Sequence, residues 1–283
     1  MPTFASQIKI NLFPSRFVKE FKPKSLKDIS PISIRLLIAL MICSFHGWTQ
    51  GNKVPNLRKF DYAPYHFGFV LAVNQMYFTI KTIDDMNSHL FEKDYIPEDN
   101  SLENVESAYV DSISSQHYFG FTIGIVSNLR MGEYFDLRFV PSLAFGERDL
   151  KYKIYSNPQD TIDMKKPIPS YLVELPLHIK YKALRIQNSR IYIIGGIKYT
   201  LDLAQYSRKA EDTDDDKKVK LDKNDLMAEA GVGCDFYTAY FKLGIELKMS
   251  YGFNNIIVQE HNLLTNSIES LKSKMFQLSF TFE

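Results

Sequence analysis

Apolar side chains recur at every second position over long stretches of this chain. From residue 119, Phe119, Phe121, Ile123 and Ile125 alternate with Gly120, Thr122, Gly124 and Val126. After turn residues 128–133 the alternation resumes: Phe135, Leu137, Phe139, Pro141, Leu143 and Phe145 stand against Asp136, Arg138, Val140, Ser142, Ala144 and Gly146. Successive side chains of a strand point to opposite faces, so residues 119–146 predict a hairpin with one bulky apolar face and one small or polar face. Each arm is about ten residues long, enough for a tilted strand to cross a bilayer and longer than the usual five or six of globular strands.

The same period predicts six more strands. Strand one (66–74) carries Phe67, Phe69, Leu71 and Val73 on its apolar face. Strand four (171–182) carries Tyr171, Val173, Leu175, Leu177, Ile179 and Tyr181, and strand five (190–203) carries Ile191, Ile193, Ile197, Tyr199 and Leu201. Strand six (226–236) presents Leu226, Ala228, Ala230, Val232, Cys234 and Phe236. Strand seven (240–251) presents Phe241, Leu243, Ile245, Leu247 and Met249, and strand eight (275–282) Phe276, Leu278, Phe280 and Phe282. Connections after strands one, three, five and seven are long and turn-rich; those after two, four and six are tight. The fold class expected is therefore all-β: an eight-stranded antiparallel transmembrane outer-membrane β-barrel with long extracellular loops and short periplasmic turns. Closure would remove the sheet edges that such strands otherwise expose.

The opposite faces hold six acids (Asp136, Glu174, Asp202, Glu229, Asp235, Glu246) and six bases (Arg138, Lys180, Lys182, Lys198, Lys242, Lys248), and the apolar faces hold none. Alternation alone leaves open whether the apolar set points outward, or inward as in a soluble lipocalin-like barrel. A leader, aromatic residues at the strand ends and a final aromatic-alternating strand favour outward. Eight strands enclose only enough space for side chains, so balanced charges predict a salt-bridged plug rather than a conducting pore.

The remaining composition narrows the picture. A net charge of +1 gives no electrostatic reason to expect nucleic acid. Arg35, the apolar run 36–45 and the less apolar end up to Gly51 have the layout of a secretory signal peptide, too short for a membrane-spanning helix. The 31 residues ahead of residue 32 form a long n-region, which implies either an extended signal or a true start codon further downstream. A single N-terminal anchor helix is the alternative; a lipoprotein site at Cys43 is disfavoured by Ile42 before it. Removal of the leader would leave Cys234 as the one thiol. The expected organisation is an extension and signal at 1–50, a periplasmic lead-in at 51–65 and the barrel at 66–283.

Reactive chemistry is sparse. His66, His89, His117, His178 and His261 show no metal-ligand spacing. Ser142, His178 and Ser250 lie on polar faces as candidates for a lipid-modifying hydrolase, but no motif links them. The acidic run 211–216 lacks the glycine and closing glutamate of a calcium loop, and no phosphate-binding glycine loop is present. No catalytic residue, cofactor, metal or small-molecule substrate is expected, and the chain reads as non-enzymatic.

Three runs carry a resemblance: residues 120–152 (GFTIGIVSNLRMGEYFDLRFVPSLAFGERDLKY), 56–74 (NLRKFDYAPYHFGFVLAVN) and 170–185 (SYLVELPLHIKYKALR). Together they resemble the PorT family, outer-membrane β-barrel proteins of the Bacteroidetes. The resemblance implies a cell outer membrane location, a role in type IX protein secretion and, in gliding species, in gliding motility. It also implies other secretion components as partners beside outer-membrane lipid and lipopolysaccharide. The family offers no catalytic residues to carry over. A passive OmpX-like structural or adhesion barrel is the alternative.

Overall fold

A computed structural model describes residues 55–86, 89–96, 105–156, 160–208, 219–260 and 262–283. The chain divides into two compact units, Met1–Lys53 and Val54–Glu283. The expected leader, Cys43 and the acidic run 211–216 lie outside the described residues.

The second unit is an antiparallel sheet of eleven strands. In chain order they are β1 (Tyr65–Thr82), β2 (Phe91–Glu92), β3 (Ser107–His117), β4 (Phe119–Arg130), β5 (Phe135–Phe139), β6 (Ser142–Ser156), β7 (Asp160–Lys182), β8 (Ser189–Asp202), β9 (Asn224–Tyr237), β10 (Lys242–Gly252) and β11 (Ile268–Phe282). Two short helices, α1 (Leu203–Arg208) and α2 (Leu263–Asn266), follow β8 and precede β11. β1 pairs with β11 on one side and with β4 on the other. From β4 the pairing passes through β5 and β6 to β7, then through β8, β9 and β10 to β11.

The difference from the expected eight strands has local causes. β5 and β6 keep one register against both β4 and β7. They are separated at Val140–Pro141, where proline has no N–H to give the ladder. β3 and β4 meet at Tyr118 and share β6 as neighbour, but the register slips at Asp111 and again at Tyr118. The inward side chains accordingly change from Ala108 and Val110 to Ile113 and Ser115, then to Gly120 and Thr122. β2 is a two-residue addition to the edge of β3.

The long, turn-rich connections expected after strands one and three are corrected. β1 runs on to Thr82, β3 forms from Ser107, and β6 and β7 pair as far as Ser156↔Asp160. These extensions alternate in the opposite sense. Phe67, Phe69, Leu71 and Val73 are exposed, but Met76 and Phe78 are buried, with exposed Thr79 and Lys81 beyond them. On β6, Leu143 faces out, whereas Leu150, Tyr152 and Ile154 face in opposite Lys151 and Lys153. On β7, Met164 and Ile168 face in while Tyr171, Leu177, Ile179 and Tyr181 face out.

The inward apolar extensions close over a cluster that includes Phe78, Leu150, Tyr152, Ile154, Ile168, Leu221, Ile257, Leu263, Leu264 and Leu271. α2 seals it. Asn262 caps that helix by accepting from Thr265 N at 2.8 Å. The sheet thus has two ends: a turn rim with the tight turns, and a loop rim covered by this apolar cap.

Candidate functional site

All twelve charged residues singled out from the alternation are buried, and they pair across the interior. At the turn-rim end Arg138 lies between Glu246 and Glu283, with Nη2 2.7 Å from Glu283 Oε1. Lys242 takes the other Glu283 oxygen at 2.8 Å, and Tyr192 donates its hydroxyl to Glu246 at 2.7 Å. Lys180 binds Asp235 at 2.8 Å and sits 3.5 Å above the Tyr192 ring. Lys182 and Asn128 share Asp136, at 2.6 and 3.0 Å. The Tyr192 ring occupies the place where a Cβ on Gly233 would stand, so the small residue makes room for the aromatic one.

The middle layer centres on Lys198, whose ammonium is 3.0 Å from both Glu174 and Glu229. Here the hydrolase candidates meet. Ser250 donates to Glu229 at 2.6 Å, Ser142 donates to Glu174 at 3.3 Å, and His178 Nε2 is 3.0 Å from Glu229. Each serine therefore reaches a carboxylate. A nucleophilic serine instead needs contact with its base and an approach for substrate, and this cluster lies under buried side chains.

Above it, Arg148 donates to Ser170 at 3.0 and 2.7 Å, lies 3.7 Å from Asp202 and stacks 4.2 Å from the Phe78 ring, joining the charged layers to the apolar cap. Cavities of about 20 Å³ beside Arg148 and about 10 Å³ at the turn rim remain, each with room for about one water.

The lead-in, expected to be without periodic structure, makes a second cluster. A short 3₁₀ turn, Phe60–Tyr62, places Asp61 against the turn rim. Its Oδ1 accepts from Arg190 at 3.0 Å and from Tyr237 at 2.9 Å; its Oδ2 accepts from Arg185 at 3.3 Å. Asn56 donates from its backbone to Asn188 at 2.8 Å and from its side chain to the Tyr237 carbonyl at 3.0 Å. Phe60 stacks on His66 at 3.9 Å beneath Lys242. Sequence reading missed this clamp. The signal for it was a lone acid in the Pro55–Pro64 lead-in, facing a turn that carries Arg185 and Arg190.

Burial pushes the Asp61 carboxyl up, but the Arg190 charge, the Tyr237 hydroxyl and Arg185 outweigh it and hold the pKa below the ordinary value. A depressed carboxylate stabilises the folded form above its unfolded pKa, about 4, and that contribution is lost as pH falls through the lower folded value. Asp61→Asn is expected to loosen the lead-in by roughly 1.5 kcal/mol, the low end for hydrogen bonds to charge because part of the group is solvated. Amide exchange at Phe60, Tyr62 and Ala63, corrected for intrinsic rate, is expected to rise in the variant at neutral pH and in the parent only in acid. Equal protection at pH 7 in both proteins would remove this role.

The other predicted residues are scattered. His89 packs edge-on to Phe91, and His117 leans on Tyr77 at 4.4 Å. Cys234 is half-buried on the outward face, and His261 lies outside the described residues. Among the described residues no group of three or more His, Cys, Asp or Glu is placed to hold a metal.

No curated protein matches the chain. Among solved structures it is similar to Neisserial surface protein A (TM-score 0.35, 11% identity, covering 77% of this chain and 98% of that one). It is also similar to OprG from Pseudomonas aeruginosa (TM-score 0.33, 10% identity, covering 76% and 92%). The family model for the outer membrane protein beta-barrel domain matches residues 66–258. This match spans the charged interior and most of the outward apolar wall, and with it the chain belongs to the outer membrane protein beta-barrel domain family and resides in the outer membrane.

Proposed function

We propose that this chain is a sealed, non-enzymatic eight-stranded transmembrane barrel that serves as a component of the type IX protein secretion apparatus. Taking β3 with β4 and β5 with β6, and leaving out the short β2, gives eight walls. The apolar face of β7 from Tyr171 to Tyr181 covers roughly 33 Å of strand, or about 23 Å of height at a tilt of about 45°, close to the ~25 Å apolar band of such barrels. The loop rim and its cap face the exterior; the turn rim and the Asp61 clamp face the periplasm.

The observation that carries the reading is the filled interior. Arg138, Lys180, Lys198, Glu229 and Glu246 occupy the space a solute would need, so the protein acts through its rims and wall on other secretion components and on outer-membrane lipid. The resemblance of runs 56–74, 120–152 and 170–185 to the PorT family supplies the secretion role. A clean deletion is expected to abolish export of type IX cargo, and gliding where the organism glides, while the outer membrane stays intact. Normal cargo export would reject the role and leave a passive structural barrel. Altered lipid A or phospholipid profiles would point to a lipid-modifying enzyme instead.

A further inference from the structure

The change of phase along the strands marks where hydrocarbon gives way to water, and outward lysines gather just beyond it on one sector of the wall. β6 contributes Lys151 and Lys153, β7 Lys165, and β11 Lys272 and Lys274. The last outward aromatics below them are Phe145, Tyr171 and Phe276. Lys274 Nζ lies 5.3 Å from the Phe276 ring centre and Lys272 Nζ 5.9 Å from that of Tyr251, so the ammonium groups stand over the aromatic belt at headgroup height.

Most of the nearby charge is already matched. Lys165 binds Asp149 at 2.8 Å and Tyr118 at 3.0 Å, Lys81 binds Glu269, and Asp163 stands opposite Lys153. Glu147 is the other exposed acid on this face of β6. Lys151, Lys272 and Lys274 remain, and none of them has an ion pair among the described residues. Lys151 is also directly opposite Lys165 on the neighbouring strand, and the one carboxylate beside them, Asp149, is held by Lys165. β11 is paired with β1 and β6 with β3, so the two lysine groups stand on separate ladders of the wall.

We infer that Lys151, Lys272 and Lys274 form a binding surface for the phosphate groups of the outer-leaflet glycolipid. Three unmatched ammonium groups at the lipid–water boundary offer charge-assisted contacts that a neutral headgroup cannot use. This inference rests on the orientation given above, with the loop rim outside.

The test uses the full mature chain in mild detergent, titrated with fluorescent diphosphoryl lipid A. The K151Q/K272Q/K274Q variant is expected to bind at least tenfold more weakly, and a turn-rim control, R58Q/K59Q, to bind as the parent does. Raising sodium chloride should weaken parental binding, and dephosphorylated lipid A should bind little. Equal affinity of parent and triple variant, or of phosphorylated and dephosphorylated lipid, overturns the inference. If the triple variant fails to fold, K274Q alone and the salt titration of the parent decide by the same criteria. Asn254→Cys, exposed at the loop rim, separates the two levels. Labelling by an impermeant maleimide on intact cells with no lipid preference sinks the lysine surface alone, and absence of labelling sinks the orientation and the surface together.

Discussion

Arg138→Ala is expected to cost about 3–5 kcal/mol, the penalty for leaving buried charge without its partner. The guanidinium is fully buried between Glu246 and Glu283. Glu283 would keep Lys242, but Glu246 would retain only the Tyr192 hydroxyl and Lys248, 3.9 Å away. Replacing both members of the pair by apolar residues, Arg138→Met with Glu246→Leu, should recover most of the loss, because a well-packed apolar pair commonly equals a buried ion pair. Urea unfolding in lipid vesicles followed by circular dichroism measures both. A single-variant cost under about 1 kcal/mol would mean that the interior is more hydrated than the packing implies.

The second large effect lies on the outer wall. Leu143 is outward and paired with Ile123 and Val173, within the apolar belt. Leu143→Arg is expected to destabilise the folded protein in vesicles by about 2–4 kcal/mol, the range for a cation on the lipid face near mid-bilayer. Thr161→Arg, exposed on β7 beyond the change of phase, should move stability by less than about 0.5 kcal/mol, as at an ordinary aqueous surface. Similar costs at the two positions would place both in the same solvent and refute the belt.

Much of this was legible in the chain. The shared apolar face of Phe67–Val73, Tyr171–Tyr181 and Ile191–Tyr199 follows from alternation; its outward direction, and with it the burial of the charges between them, follows only once the leader and the strand-end aromatics are added. The partners did not follow. Arg138 and Glu246 are 108 positions apart, and only the path of strands from β4 round to β11 brings them together. The cap was missed for a different reason. Met76 and Phe78, then Leu150, Tyr152 and Ile154, keep period two but reverse its sign, and a reading held to one phase takes the reversal for the end of a strand. β3 hid itself further, since two register slips and the run Ser112–Gln116 leave no steady apolar face.

Glu283 illustrates the limit of local pattern. It follows the final aromatic of an alternating strand and looks like an exception to it. In space it binds Arg138 and Lys242.

The reversed upper halves of β6 and β7 also constrain how the protein enters its membrane. With the loop rim outside, as proposed above, their hairpin would reach the far side with Lys151, Lys153 and Lys165 on its outer surface, and dragging each ammonium through hydrocarbon alone would cost several kcal/mol. Translocation of that tip therefore calls for a wet passage, with the greasy inner side of the hairpin shielded until Leu263 and Leu264 arrive to cover it. Because α2 and β11 follow that hairpin in the chain, the dome is complete only once these later elements have joined it.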